Sequence, residues 1–216
     1  MKKDLVEVIF ILDRSGSMGG LEDDTIGGYN AMIEKQKKLE GRALISTVLF
    51  DDRYELLHDR VDLERINPMT SKEYYVRGTT AILDAMGISI SNMINIQKNL
   101  ARDDRAEKIM FIITTDGMEN ASREYNYDMV RKMVEYQKEK YGWEFLFLGA
   151  NIDAIETATR FGIDSDRAAN FHSDSEGTAL NYEVIGEAVY KFRANNKLSE
   201  DWKERIDRDF KNRGSK

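Results

Sequence analysis

The chain has 216 residues, 41% of them hydrophobic, which is enough for one domain with a sizeable core. It carries 32 Lys and Arg against 39 Asp and Glu, interspersed, for a net charge of -7, a balance that argues against nucleic-acid and membrane-surface roles. There is no cysteine, so disulfides, thiolate chemistry and cysteine-ligated zinc are excluded.

Residues 5–12 form an almost uninterrupted apolar run with β-branched and aromatic members, the pattern of a strand buried on both faces. The run is too short for a spanning helix or a signal peptide and stops at Asp13, so a soluble cytoplasmic protein is expected. A helix is predicted over 21–39, with Ile26, Tyr29 and Ile33 on one face. The strand over 43–50 is apolar on both faces and therefore central. Asp51-Asp52 reads as a tight turn into 54–61, a charged strand expected to run antiparallel at an edge. After an irregular stretch with the only proline, Pro68, a helix is predicted over 81–97, where Ile82, Met86, Ile90 and Met93 recur at helical spacing. A buried strand over 108–114 ends in Thr115-Asp116-Gly117. A helix over 126–140, a strand over 143–149, a short helix over 153–161, a weak strand over 168–171 and a helix over 178–194 follow. The tail is highly charged, and Leu198, Trp202, Ile206 and Phe210 give it a narrow apolar stripe suited to docking on its own domain. The expected organisation is one domain over 1–196 and a helical tail over 197–216. Alternating strands and helices predict an α/β fold with a largely parallel sheet.

Ligands of open α/β sheets sit beyond the carboxyl ends of the strands. Three segments bring oxygen-bearing side chains there. The first is Asp13-Arg14-Ser15-Gly16-Ser17, where Gly16 lets the backbone turn tightly. The second is the loop from Arg77 through Gly78, Thr79 and Thr80 into a helix, and the third is Thr114-Thr115-Asp116-Gly117. Two carboxylates, two serines and a threonine make an oxygen-only set with few charges. Mg²⁺ prefers such a set, Mn²⁺ also fits, and zinc or copper would want His or Cys.

The combination resembles the von Willebrand factor type A (VWA) family and its metal-ion-dependent adhesion site, or MIDAS. That site is marked by Asp-x-Ser-x-Ser after the first strand, a Thr in a Gly-containing loop before a helix, and an Asp after the fourth strand. The matching residues are Asp13, Ser15, Ser17, Thr80 and Asp116. Thr80, not Thr79, occupies the place of the Thr in Gly-Gly-Thr-Ala-Leu-x-Asp-Ala, a loop common in bacterial members. The resemblance implies a Rossmann-like three-layer α/β/α sandwich, mostly parallel, with one antiparallel edge strand. It also implies binding, not catalysis. Ser15 and Ser17 would ligate the metal directly, and Asp13 and Asp116 directly or through water. Thr80 would join depending on state. The last coordination position would take a Glu or Asp carboxylate of a partner protein. A cation with few anionic ligands keeps positive charge and attracts such a carboxylate.

The competing enzyme class is a Mg²⁺-dependent phosphohydrolase using Asp13. It would need a second carboxylate two positions on, where Ser15 stands. Dinucleotide binding would need G-x-G-x-x-G, which the Gly16, Gly19 and Gly20 spacing does not give. Arg14 is expected to point outward as a solvated charge, and Glu119 and Asn120 to be solvated loop residues near the metal mouth. Asp84 is expected on the helix surface or as a hydrogen-bond acceptor behind the ligands. His58 and His172, isolated in sequence, are expected to be structural or on the surface.

Overall fold

The structure, a computed structural model, describes residues 2–195 and 198–214. Among the described residues, six strands and six α-helices follow in the order β1 (Lys2–Asp13), α1 (Glu22–Lys37), β2 (Arg42–Phe50), β3 (Tyr54–Asp62), α2 (Ile82–Asn99), β4 (Ala106–Thr115), α3 (Tyr127–Tyr141), β5 (Glu144–Gly149), α4 (Ala154–Arg160), β6 (Ala168–Asn170), α5 (Ser175–Asn195) and α6 (Glu204–Arg213). They build one sheet in the order β3-β2-β1-β4-β5-β6. Every neighbouring pair is parallel except β2 and β3. The exception follows from the connection. Residues 51–53 are too few for a crossover, so β3 folds straight back on β2. Bulges interrupt that pairing, and β3 stays half exposed, as suits an edge.

Strand periodicity sends alternate side chains of β1 to opposite layers. Val6, Val8, Phe10 and Leu12 pack with residues of α1, α5 and α6, whereas Leu5, Ile9 and Ile11 pack with residues of α2, α3 and α4. Both faces of the central strands are thus covered, which is why they read as continuous apolar runs. The result is a three-layer α/β/α sandwich with a mostly parallel sheet and one antiparallel edge.

The strand and helix positions expected from sequence are all occupied by elements of the expected type, with shifted ends. α5 starts at Ser175 and not at 178, because the side chain of Asp174 accepts a hydrogen bond from the Gly177 N–H at 2.9 Å and adds a turn. The tail packs on the domain. Leu198, Trp202 and Ile206 are buried, the indole N–H of Trp202 donates to the Asp166 carbonyl at 2.8 Å, and Phe210 stacks on His172. The expected boundary between domain and tail, residues 196 and 197, lies outside the described residues. Among the described residues, no helix is long and apolar enough to cross a membrane.

The registers align the carboxyl ends that matter. Asp13 pairs with Phe50 and Leu12 with Thr114, so β1, β2 and β4 end at one level.

Candidate metal centre

At the end of β1 the chain turns through Asp13, whose Oδ1 accepts the Ser15 N–H at 2.7 Å. Its Oδ2 accepts the Thr115 hydroxyl of neighbouring β4 at 2.5 Å. Ser15 Oγ and Ser17 Oγ lie 3.0 Å apart, and Ser17 Oγ donates to Asp116 Oδ1 at 2.5 Å. The other oxygen of Asp116 accepts from Ser173 Oγ at 3.4 Å, across the β6–α5 loop. Thr80 is buried and Thr79 exposed. A Cβ added at Gly117 would meet Thr80 Oγ1 at 3.1 Å and Ser17 Oγ at 3.3 Å, so both hydroxyls border this glycine. The structure therefore gathers Asp13, Ser15, Ser17, Thr80 and Asp116 from three loops to one point above the sheet.

Both carboxylates are buried, Asp13 at 1% exposure and Asp116 at 3%. Burial pushes the Asp13 carboxyl up to about 6, against the hydrogen bonds from Thr115 and Ser15, and the charge of Asp116 adds to the rise. Burial raises Asp116 as well, against hydrogen bonds from Ser17 and Ser173. Among the described residues no Lys or Arg pairs with either acid. Nor do three or more His, Cys, Asp or Glu side chains group as a metal site would need if it relied on them alone.

Arg14 could have supplied a countercharge, and it does not. Contrary to expectation it is not solvated but fully buried. Its Nε donates to Asp51 at 3.1 Å and its Nη2 to Glu55 at 2.6 Å. Nη1 reaches the Glu73 carbonyl at 3.3 Å, and the guanidinium lies 5.4 Å from the Tyr75 ring centre. Arg77 shares Asp51 at 2.5 Å. Burial pushes the Asp51 carboxyl up, but the Arg77 hydrogen bond, the Arg53 N–H and the two guanidinium charges outweigh it and hold it below the ordinary value. Arg14 thus anchors the first ligand loop to the β2–β3 hairpin, away from the ligands.

Glu119, expected to be solvated, is half-buried, whereas Asn120 is exposed as expected; both tie the loops together. Asn120 Oδ1 accepts the Thr80 N–H at 2.9 Å while the Asn120 N–H donates to the Thr80 carbonyl at 3.0 Å. Glu119 accepts the Leu83 N–H at 3.0 Å and so serves the start of α2, whose own N-cap residue, Ala81, has no capping side chain. Asp84 accepts the backbone N–H groups of Arg123, Glu124 and Tyr125, which makes it an anchor for the third loop. The Tyr74 hydroxyl donates to the Asp13 carbonyl at 2.5 Å. Gly78 sits at φ +65, and its carbonyl accepts the Gly16 N–H at 3.2 Å. None of these long-range contacts has a local sequence pattern, although the Thr114-Thr115-Asp116 run did carry the hydroxyl that orients Asp13.

The donor set suits a hard divalent cation. It is all oxygen, it has two carboxylates, and both are buried without a protein cation. Asp13, Ser15, Ser17, Thr80 and Asp116 would hold such an ion.

No protein-family model and no curated protein matches the chain. Solved structures do match. The vWF domain of the type V pili tip protein Mfa5 from Porphyromonas gingivalis aligns with a TM-score of 0.62 over 90% of this chain and 98% of that one, at 11% identity. The chain has a von Willebrand factor A fold. Other structures of that fold extend well beyond the match. This chain spans 46% of proximal thread matrix protein 1 from the mussel byssus, solved with a zinc-occupied MIDAS motif (TM-score 0.57, 14% identity, 86% of this chain). It spans 30% of the pilus adhesin SpaC from Lactobacillus rhamnosus GG (TM-score 0.64, 11% identity, 88% of this chain). At such identities the likeness speaks to the VWA fold alone.

Proposed function

We propose that the chain is a divalent-metal-dependent protein-binding module. Its metal site is Asp13, Ser15, Ser17, Thr80 and Asp116, and its partner is a protein that presents a Glu or Asp carboxylate. The observation that carries this reading is the pair of buried carboxylates, Asp13 and Asp116, bridged by serine hydroxyls and left without a protein cation. A divalent ion held there by two carboxylates and neutral hydroxyls would supply a Lewis-acidic centre able to accept a further anionic oxygen from a partner. Magnesium is the ion we favour, because the donors are hard and include no His or Cys. Zinc in the mussel relative's MIDAS makes zinc the competitor to test beside it.

The chain's own residues hold and orient the donors. Thr115 and the Ser15 N–H fix the Asp13 carboxylate, and Asn120 fixes Thr80. Beside Asp116, Met118 stands 73% exposed, an apolar side chain placed for a partner residue next to its acid. The arrangement favours adhesion over hydrolysis, since position 15 offers a hydroxyl where a phosphohydrolase would want its acid–base carboxylate.

Thermal melts in EDTA and in millimolar Mg²⁺, Mn²⁺ or Zn²⁺ test the metal, because a ligand bound only to the native state must stabilise it. A capture experiment from host lysate with Mg²⁺ and with EDTA then tests the partner. An unchanged melting curve across all three ions would remove the basis of the proposal.

A further inference from the structure

Asp116 presents its two oxygens to different parts of the chain. Oδ1 faces Ser17 and the donor cluster, and Oδ2 faces Ser173 Oγ at 3.4 Å. Ser173 stands 57 residues further on, between β6 and α5, and belongs to none of the three segments that bring the donors together. The last torsion of an aspartate side chain has a broad, two-fold preference, so one held oxygen leaves the carboxylate free to rock. A hydrogen bond to the second oxygen is how a group behind a ligand sets its orientation. At 3.4 Å the contact is longer than an ordinary O–H···O bond, so it steers the carboxylate without competing strongly with a cation for it.

The neighbours of Ser173 are fixed on both sides. His172 is buried, and its ring stacks on Phe210 of α6 with ring centres 4.9 Å and planes 25° apart. The His172 carbonyl accepts the Asp174 N–H at 2.9 Å and packs against Gly177 so closely that a Cβ there would have no room. The Asp174 carboxylate accepts the Gly177 N–H at 2.9 Å and pairs with Arg213 of α6. Ser175 Oγ donates to Asp24 of α1 at 2.6 Å. Residues 172, 174 and 175 are therefore held, which leaves Ser173 little freedom beyond rotation of its own side chain. Two of the three attachments, at His172 and Asp174, come from α6.

We propose that Ser173 is a positioning residue of the metal centre and that α6 holds it in place. Its hydroxyl steadies Asp116 Oδ2 and so keeps Oδ1 turned to the donor cluster, while Phe210 and Arg213 keep the loop against the carboxylate. The inference rests on the metal reading above, and it adds a residue and a helix that the five donors do not include.

Calorimetric titration of the full chain with Mg²⁺, beside thermal melts in EDTA, tests it. Ser173→Ala should weaken Mg²⁺ about tenfold or more with an unchanged melt in EDTA. Ser173→Thr keeps the hydroxyl and should restore binding. Phe210→Ala should weaken Mg²⁺ in the same direction and by less, and the double variant should bind no worse than Ser173→Ala alone, because α6 acts through that one hydroxyl. Phe210 is preferred to Arg213 here, since losing Arg213 would leave Asp174, Asp209 and Glu176 with less countercharge and attract a cation for an unrelated reason. Arg205→Ala, which removes two exposed ion pairs between α6 and α5 and no contact with the loop, should leave the affinity unchanged. Equal affinity in the wild type and Ser173→Ala, a loss that Ser173→Thr does not restore, or a Phe210 effect that adds to the Ser173 one would overturn this inference and leave the metal site standing. A wild type that takes up no Mg²⁺ would remove the magnesium reading and this inference together.

Discussion

Asp13→Asn should make the metal-free protein more stable, not less. The wild-type side chain is a buried carboxylate whose pKa rises from 3.8 to about 6 on folding. At about 1.4 kcal/mol per pH unit, keeping it ionised at pH 7 costs about 3 kcal/mol. Asparagine keeps the shape and loses the charge. Its Oδ1 can still accept the Ser15 N–H, and its amide can donate to Thr115 Oγ1, whose hydroxyl only has to rotate. We expect a gain of about 2–3 kcal/mol in EDTA at pH 7, or roughly 4–12 °C in Tm for a chain of this size. The sign with pH follows from the direction of the shift. A group with a raised folded pKa contributes stability that is full below its unfolded value and lost as pH rises through the folded one. The two proteins should therefore unfold alike near pH 4 and diverge up to about pH 6, with a constant difference above that. Urea denaturation of both proteins in EDTA at pH 4, 5 and 7 measures it. In saturating Mg²⁺ the order should narrow or invert, since only the wild type gains, by about 2.7 kcal/mol at a hundred times its Kd. An Asn variant that is less stable in EDTA at pH 7, or an offset that does not change with pH, would refute the claim that Asp13 is buried without a countercharge.

Gly117→Ala should lower metal affinity while leaving the fold intact, because its Cβ would press on Thr80 Oγ1 and Ser17 Oγ at 3.1 and 3.3 Å; calorimetric titration of Mg²⁺ checks this. Thr80→Ala should weaken Mg²⁺ binding, and Thr79→Ala, at an exposed position, should leave it unchanged in the same titration. Arg14→Ala should cost about 2–3 kcal/mol in urea denaturation, since it takes one of two guanidinium partners from buried Asp51, leaving Arg77, and opens a hole the size of a guanidinium. Tyr74→Phe should cost about 1 kcal/mol by the same assay, through loss of its bond to the Asp13 carbonyl.

Sequence made the strands and their depth legible because β1, β2, β4 and β5 are buried on two faces, and that requirement leaves long apolar runs. It also exposed the donors, since hydroxyls and carboxylates at strand ends interrupt those runs abruptly. Arg14 was misjudged for a physical reason. Its partners Asp51 and Glu55 stand 37 and 41 residues away, on a hairpin whose docking no local period encodes. Glu119 was misjudged in the same way. A carboxylate in a polar loop looks solvated until the loop is seen to lie against a helix start 36 residues earlier. Chemistry that depends on residue type was readable, and chemistry that depends on who meets whom was not.

The missing cap on α2 connects these two kinds of information. A helix that begins at Ala81 without a capping side chain leaves its first N–H groups to be satisfied from elsewhere. Glu119 does this from the loop that also carries Asp116, and Asp84 in the first turn of α2 returns three hydrogen bonds to the same loop. The helix start and the loop are therefore each other's caps, and Asn120 adds a reciprocal pair to Thr80. A Ser or Asp cap on α2 would replace the Glu119 contribution but not the Asp84 and Asn120 bonds that also join the two segments. Each segment satisfies part of its backbone through the other. Two donors from distant parts of the chain are thus held to one spacing by bonds that do not involve the donor atoms. The separation of Thr80 and Asp116 is thereby set by folding, while the Asp116 oxygens are held by the serine hydroxyls of Ser17 and Ser173.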